Sequence, residues 1–503
     1  MSLRGTRPSP AEYAAVREDP NAYGTAIDAY LEDDRFLATV RQWFTEWLEL
    51  DQGPDVYPAG FPAVGALSAL GTHELNTSII QAPGRLAEHI VRNDAAWSQI
   101  VTADYTLADH TVATVWGLPY DAAAGGWQVT DYPDGRPTAG VLSDGWVFTR
   151  MPSTENNRHR ERASLIASTF ICHDYPGRPV KIPPDIDLTS EEAIANAVTT
   201  VPACVGCHHT LDPLASFFAV HYALRIPEYE TAYPLVQYTP DAAADFDSPI
   251  WYGEPAEDLE ALGRLIAEDP RFAACQVRRF YSELMHVPVK SIPIDAVLRY
   301  LPSFLVDEMN VKTLVRAIVL SDEFAAKSAS DPNWNVGLRR ATPQQLDDMF
   351  IELAGYQWLV DVQYDLGSGP VGTVPMLRDF VWGYRTLAGG PNNFDTTTHR
   401  RTADPTTLLA LRNLAERAAR HTVEHDGTSP PLLLTVPDAL TGEPVAVRRQ
   451  LVELHLRLYG EIIDEDDPEV DRAWAIFADA PTPSRGWELV LNALFQDVRV
   501  LYY

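Results

Sequence analysis

The stretch VPACVGCHHTLDP, Val201 to Pro213, sets two thiols three positions apart and a histidine directly after the second: Cys204, Cys207 and His208. The whole chain has only four cysteines. Cys-x-x-Cys-His is the spacing of covalent haem c attachment. Each thiol adds to one haem vinyl group, and the histidine is placed under the iron as the proximal axial ligand. A zinc site would want four ligands, commonly two such cysteine pairs, and no second pair exists. A thioredoxin-like pair would follow a strand, whereas a helical stretch, LTSEEAIANAVTTVPA, precedes this one. One covalent haem c is the cofactor expected.

A sixth ligand to the iron is then sought. Methionine is usual in electron carriers. Met151 and Met376 lie in Gly/Pro or Ser-rich loop sequence, and Met151 is favoured. It has basic neighbours, Arg150, Arg158, Arg160 and Arg162, which would suit haem propionates in so acidic a chain. His173 is a further candidate, and an open sixth position stays an alternative. The remaining thiols, Cys172 and Cys275, are either a disulfide around the haem segment or two buried thiols.

A rival motif is HTVEH, which gives His421, Glu424 and His425. His-x-x-Glu-His on a helix is the inverted zinc-protease pattern, with the glutamate as general base. A third ligand is not identifiable, and polar residues at the end of an amphipathic helix explain the string as well.

These residues must be positioned by a chain of 503 residues, long enough for about three domains. With 46% hydrophobic and 10% aromatic residues it can bury a large core. Its net charge of −31 repels nucleic-acid phosphate and anionic membrane surfaces, and suits docking to a basic redox partner. No apolar run is long enough to span a bilayer. The first thirty residues contain no apolar stretch of signal-peptide type. Haem c is attached outside the cytoplasm, so a periplasmic or extracellular protein is expected, with its native signal peptide absent from this numbering.

Apolar residues recur at helical spacing in DDRFLATVRQWFTEWLEL, DLEALGRLIAED, RFAACQVRRFYSELM, TTLLALRNLAERAARHTVEH, VRRQLVELHLRLYGEII and GWELVLNALFQD. The fold class expected is mainly α, a multi-helix cytochrome c-like arrangement with long ordered loops. VLSDGWVF and LLLTV are the best strand candidates. In LDPLASFFAVHYAL, Asp212 reads as an N-cap and Pro213 as a first helical position, with Leu214, Phe217, Phe218 and Tyr222 on the helix that follows. Weak internal echoes pair VRQWFTEWL from Val40 with VRRFYSELM from Val277, and LRGTRPSP from Leu3 with LRRATPQQ from Leu338. A third pairs LVRAIVLSDEF from Leu314 with LVLNALFQDVRV from Leu489. They suggest two related helical modules, the first ending near residue 330. The division expected is an N-terminal helical domain over 1–150, a haem-binding domain over 151–330 and a C-terminal helical module over 331–503.

The chain resembles a family of large secreted bacterial cytochrome c-like proteins of unknown function, which carry one haem c motif between helical domains. The resemblance rests on ADYTLADHTVATVWGL from Ala103, NRHRERASLIASTFICHDYPGRPV from Asn157, PACVGCHHTLDPLASFF from Pro202, and DPRFAACQVRRFYSEL from Asp269 with LVRAIVLSDEF after it. It covers most of the chain. Many members place a methionine three residues after the haem histidine, where this chain has Leu211. The family lends no settled activity. The reading is a c-type haem protein of electron transfer. The alternatives are a peroxidase- or oxygenase-like haem enzyme and, behind both, a zinc hydrolase at His421, Glu424 and His425.

Overall fold

Short polar side chains ahead of apolar runs start most of the helices. Ser9 caps Pro10–Glu18 in a capping box with Glu12, and Thr342 caps Pro343–Ala354 in another with Gln345. Asp33, Asp258, Asp269 and Asp404 cap Asp34–Trp47, Leu259–Glu268, Pro270–Met285 and Pro405–Thr428 through bonds to backbone N–H groups. The computed structural model describes residues 1–51, 65–151, 158–177, 189–221, 248–326, 337–363, 370–379, 381–392 and 398–503. It also describes 184, 186, 187, 233–235, 238, 239 and 396. Among these residues the chain forms twenty α-helices and three two-stranded antiparallel ribbons, a mainly α fold. No described helix is long and apolar enough to cross a membrane.

Every helical stripe read from the sequence is a helix, but neither strand expectation holds. In VLSDGWVF the Asp144 carboxylate accepts from Trp146 N at 2.8 Å and starts a helix, Gly145–Arg150. In LLLTV the backbone N–H groups of Leu432, Leu433 and Leu434 donate to the buried Asp426 carboxylate at 2.8–3.0 Å, so no ladder is needed. The strands that do form are Thr106–Ala108 with Gln128–Thr130, Ile250–Trp251 with Glu254–Pro255, and Leu359–Gln363 with Pro370–Pro375.

Two apolar cores result. The first draws on residues from Leu3 to Val319, and the second on residues from Ala341 to Leu501. The N-terminal strap ties them: Arg7 donates to Tyr459 O at 3.1 Å and Tyr502 O at 2.8 Å. The two echoing strings at Val40 and Val277 both lie in the first core, on helices in mutual contact. They are therefore not a pair matched across the two cores.

Aromatic rings fill the middle of the first core. Phe280 meets Trp47 at 5.0 Å and Trp97 at 5.4 Å between ring centres, and Phe44 meets Trp97 at 5.8 Å. Each such fully buried ring contributes roughly 1.5–3 kcal/mol of transfer free energy. The buried Trp97 N–H is satisfied by Gln276 Oε1 at 3.0 Å, and the Gln276 amide in turn donates to Thr169 O and Phe170 O at 3.2 Å. This polar thread seats the Arg160–Ile171 helix on Pro270–Met285. The disulfide Cys172–Cys275 locks the same junction and decides the alternative left open by the sequence.

Candidate functional site

The cysteine motif lies on one helix, Pro202–Ala215, with Pro202 at its first position. A helix brings positions i, i+3 and i+4 to one face. Cys204, Cys207 and His208 therefore share a face, and both thiols are free and half-buried. The expected break at Asp212 does not occur. Pro213 lies near the helix's C-terminal end, where losing its N–H removes one bond only, and the chain continues into a tight turn at Ser216–Phe218. Leu214, Phe217 and Phe218 are buried as read, and Tyr222 lies outside the described residues.

Asp212 has a different role from the cap expected of it. Its Oδ1 lies 2.9 Å from His208 Nδ1, one turn back on the same helix. Arg160 grips the same carboxylate with two bonds, Nε to Oδ1 at 2.6 Å and Nη2 to Oδ2 at 2.7 Å. A carboxylate accepting from Nδ1–H fixes the tautomer and leaves Nε2 with its lone pair. Burial alone would raise the Asp212 carboxyl, but hydrogen bonds from His208 and Arg160 outweigh it and hold the group below the usual range. The helix is braced at Thr210 too, whose Oγ1 is 3.0 Å from Tyr175 Oη, and Tyr175 donates onward to Tyr252 Oη at 3.0 Å.

The other named residues fall out as follows. Met151 is buried, and Arg162 donates to its carbonyl at 2.9 Å. Arg162 is two residues along the helix from Arg160, so one helix contacts both Met151 and the Asp212 that holds His208. The Met151 sulfur accepts from Arg150 Nη1 at 3.7 Å. The basic cluster is not a solvated loop: Arg150 and Arg162 are buried, Arg160 is taken up by Asp212, and Arg158 is exposed. His173 stands beside Tyr175, with ring centres 4.3 Å apart. Met376 belongs to the second core, away from the motif.

Sequence reading missed His221. It is 1% exposed, stacks on Phe148 at 4.1 Å between ring centres, and among the described residues neither ring nitrogen has a hydrogen-bond partner. Burial, with Arg136 and Arg162 nearby, drives it well below the ordinary histidine value, so it is neutral. A lone histidine thirteen residues past His208 carries no sequence signal of this. The two free thiols and the oriented His208 share one helix face, residue types that suit a covalent haem, and His221 follows six residues beyond that helix.

The rival motif does not assemble. On Pro405–Thr428, His421 and His425 have ring centres 6.0 Å apart, Glu424 is exposed, and His425 Nδ1 is 3.0 Å from Asp426 Oδ1. The Asp426 carboxylate is occupied by the Leu432–Leu434 backbone. Among the described residues no group of three histidine, cysteine or acidic side chains is close enough to hold a metal ion.

Residues 14–118 match the family described as PSD4, protein of unknown function (DUF1592). The match covers part of the first core and stops short of the cysteine motif. No curated protein and no solved structure matches the chain.

Proposed function

We propose that the protein is an extracytoplasmic c-type haem protein that transfers electrons. The observation that carries this reading is the His208–Asp212–Arg160 chain on the helix that also bears Cys204 and Cys207. Cys204 and Cys207 would hold the haem covalently, and His208 would present Nε2 to the iron. When bound, the haem would supply a reversible one-electron couple. Asp212 fixes the tautomer and the plane of the His208 ring. Arg160 keeps Asp212 ionised and in place. Leu214, Phe217 and Phe218 supply buried apolar surface that lowers the local dielectric, and Met151 or His221 would be the second residue to hold the iron.

The Cys172–Cys275 disulfide supports a place outside the cytoplasm, where such bonds persist. The net charge of −31 favours a basic partner protein. A second reading, a haem enzyme with an open sixth position, is favoured by one contact: Arg150 already engages the Met151 sulfur. Expression with an export signal, in a host able to mature c-type cytochromes, separates the readings. The electron carrier is low-spin and does not bind carbon monoxide, whereas the enzyme is high-spin and does.

A further inference from the structure

The helices Asp34–Trp47 and Pro270–Met285 carry the echoing strings, in which Trp43 corresponds to Phe280 and Glu46 to Glu283. In the fold the two strings face one another, with the Trp43 and Phe280 rings 6.3 Å apart. Both glutamates open on a cavity of about 280 Å³, whose far wall comes from the second core. This is close to the lower end of ligand-pocket sizes, about 300 Å³.

The far wall brings polar atoms that the protein does not use. Arg385 is 1% exposed and lines the cavity. Its Nη1 is paired with Asp51, but among the described residues its Nε and Nη2 make no hydrogen bond, and Nη2 reaches Glu46 only at 4.0 Å. Gln344, 6% exposed, leaves its Oε1 without a partner among the described residues. A buried donor or acceptor left unmade costs about 1–3 kcal/mol, so such groups mark a place where a ligand completes the bonding.

The charge balance narrows the ligand. Each arginine on the wall already pairs with a carboxylate: Arg41 with Glu88, which Arg85 and Arg92 share, Arg378 with Asp347 and Asp348, and Arg385 with Asp51. Among the described residues of the wall, no arginine is left without a carboxylate to hold a phosphate. Hydroxyl groups, which both donate and accept, match a wall of alternating carboxylate, amide and guanidinium. Trp43 adds an apolar ring to the lining.

We propose that this cavity binds a neutral mono- or disaccharide, with Glu46, Glu283, Arg385 and Gln344 bonding its hydroxyls and Trp43 covering a face of its ring. The two glutamates play opposite parts. Burial, with the Glu46 charge adding to it, pushes the Glu283 carboxyl up to about 7, so it is a donor in mildly acid solution. Burial alone would raise Glu46 as well. His399, at 2.8 Å, and Arg385 outweigh it and keep Glu46 an ionised acceptor. The groups that face Glu283 are Glu46 and Trp47 from Asp34–Trp47, Arg279 from its own helix, and His399 from the second core.

The test is saturation-transfer NMR and calorimetry on the full chain with glucose, galactose, mannose, xylose, cellobiose and maltose, beside acetate, phosphate and sulfate. At least one sugar binds at one site per chain, and its affinity falls as pH rises through about 7. Gln344→Leu weakens it about tenfold, the value of one hydrogen bond, at an unchanged melting temperature. If that variant does not fold, Gln42→Ala, which removes the Gln42 amide bonded to Glu46, serves instead. The proposal is overturned if none of the sugars binds, if binding ignores both substitutions, or if acetate, phosphate or sulfate binds in the sugars' stead. None of these readouts depends on haem.

Discussion

His208 Nδ1 and Asp212 Oδ1 lie 2.9 Å apart on one helix, and Arg160 reaches across from a second helix to grip the same carboxylate. The pair joins an orientation device to a fold contact, because the Arg160–Ile171 helix is itself fixed to Pro270–Met285 by the disulfide. Rigid support of this kind is what a metal-binding histidine needs.

Asp212→Ala removes the carboxylate that His208 and Arg160 share. A haem held by both cysteines would stay attached. The reduction potential rises, because an imidazole that has lost its carboxylate partner donates less to the ferric iron. Stability falls by about 2 kcal/mol, the loss of bonds to a charged group. Potentiometry and urea titration read the two effects, and an unchanged potential would count against His208 as the axial ligand.

Met151→Ala tests the sixth position. With Met151 as ligand, the ferric protein shows the far-red sulfur-to-iron charge-transfer band, and the substitution abolishes it and admits carbon monoxide. A spectrum indifferent to Met151→Ala moves the assignment to His221, and His221→Leu is then the variant that opens the iron.

Breaking the disulfide by Cys172→Ser with Cys275→Ser frees a loop spanning 103 residues around the motif. The chain-entropy cost is about 4–5 kcal/mol. Denaturant titration of the double variant should show a loss of this size. A loss under about 1 kcal/mol would mean that packing alone holds the junction.

His159 sets an acid limit. Burial lowers it from 6.5 to about 3, with Arg162 and Arg158 adding to the effect. The folded state then refuses a proton that the unfolded chain takes up near 6.5. Its contribution is intact above that pH and is lost as pH falls towards 3, at up to about 1.4 kcal/mol per unit. His159→Asn, which suits the left-handed backbone there, flattens that slope in unfolding curves taken between those limits. An identical slope in the variant would show that other groups dominate.

The legible part was whatever local pattern dictates. Stripes such as Val40, Phe44 and Trp47 became buried helix faces. What misled was local polarity serving a distant partner. Asp144 and Asp426 bond backbone N–H groups where strands were expected. Asp212 reads as a cap because its true partners, His208 and Arg160, are one turn and fifty-two residues away. The choice between disulfide and free thiols needed the packing of two helices. The cavity was half written in the echo that matches Glu46 to Glu283, but only the fold shows that the two face each other with Arg385 between the cores.

The central claim is covalent haem at Cys204 and Cys207, and the pyridine haemochrome of the purified protein after acid–acetone extraction tests it most directly. The protein is made with an export signal in a host with working cytochrome c maturation. The account predicts one haem per chain that survives extraction, and its loss in Cys204→Ala with Cys207→Ala. Folded protein that carries no haem after passage through that host would contradict it.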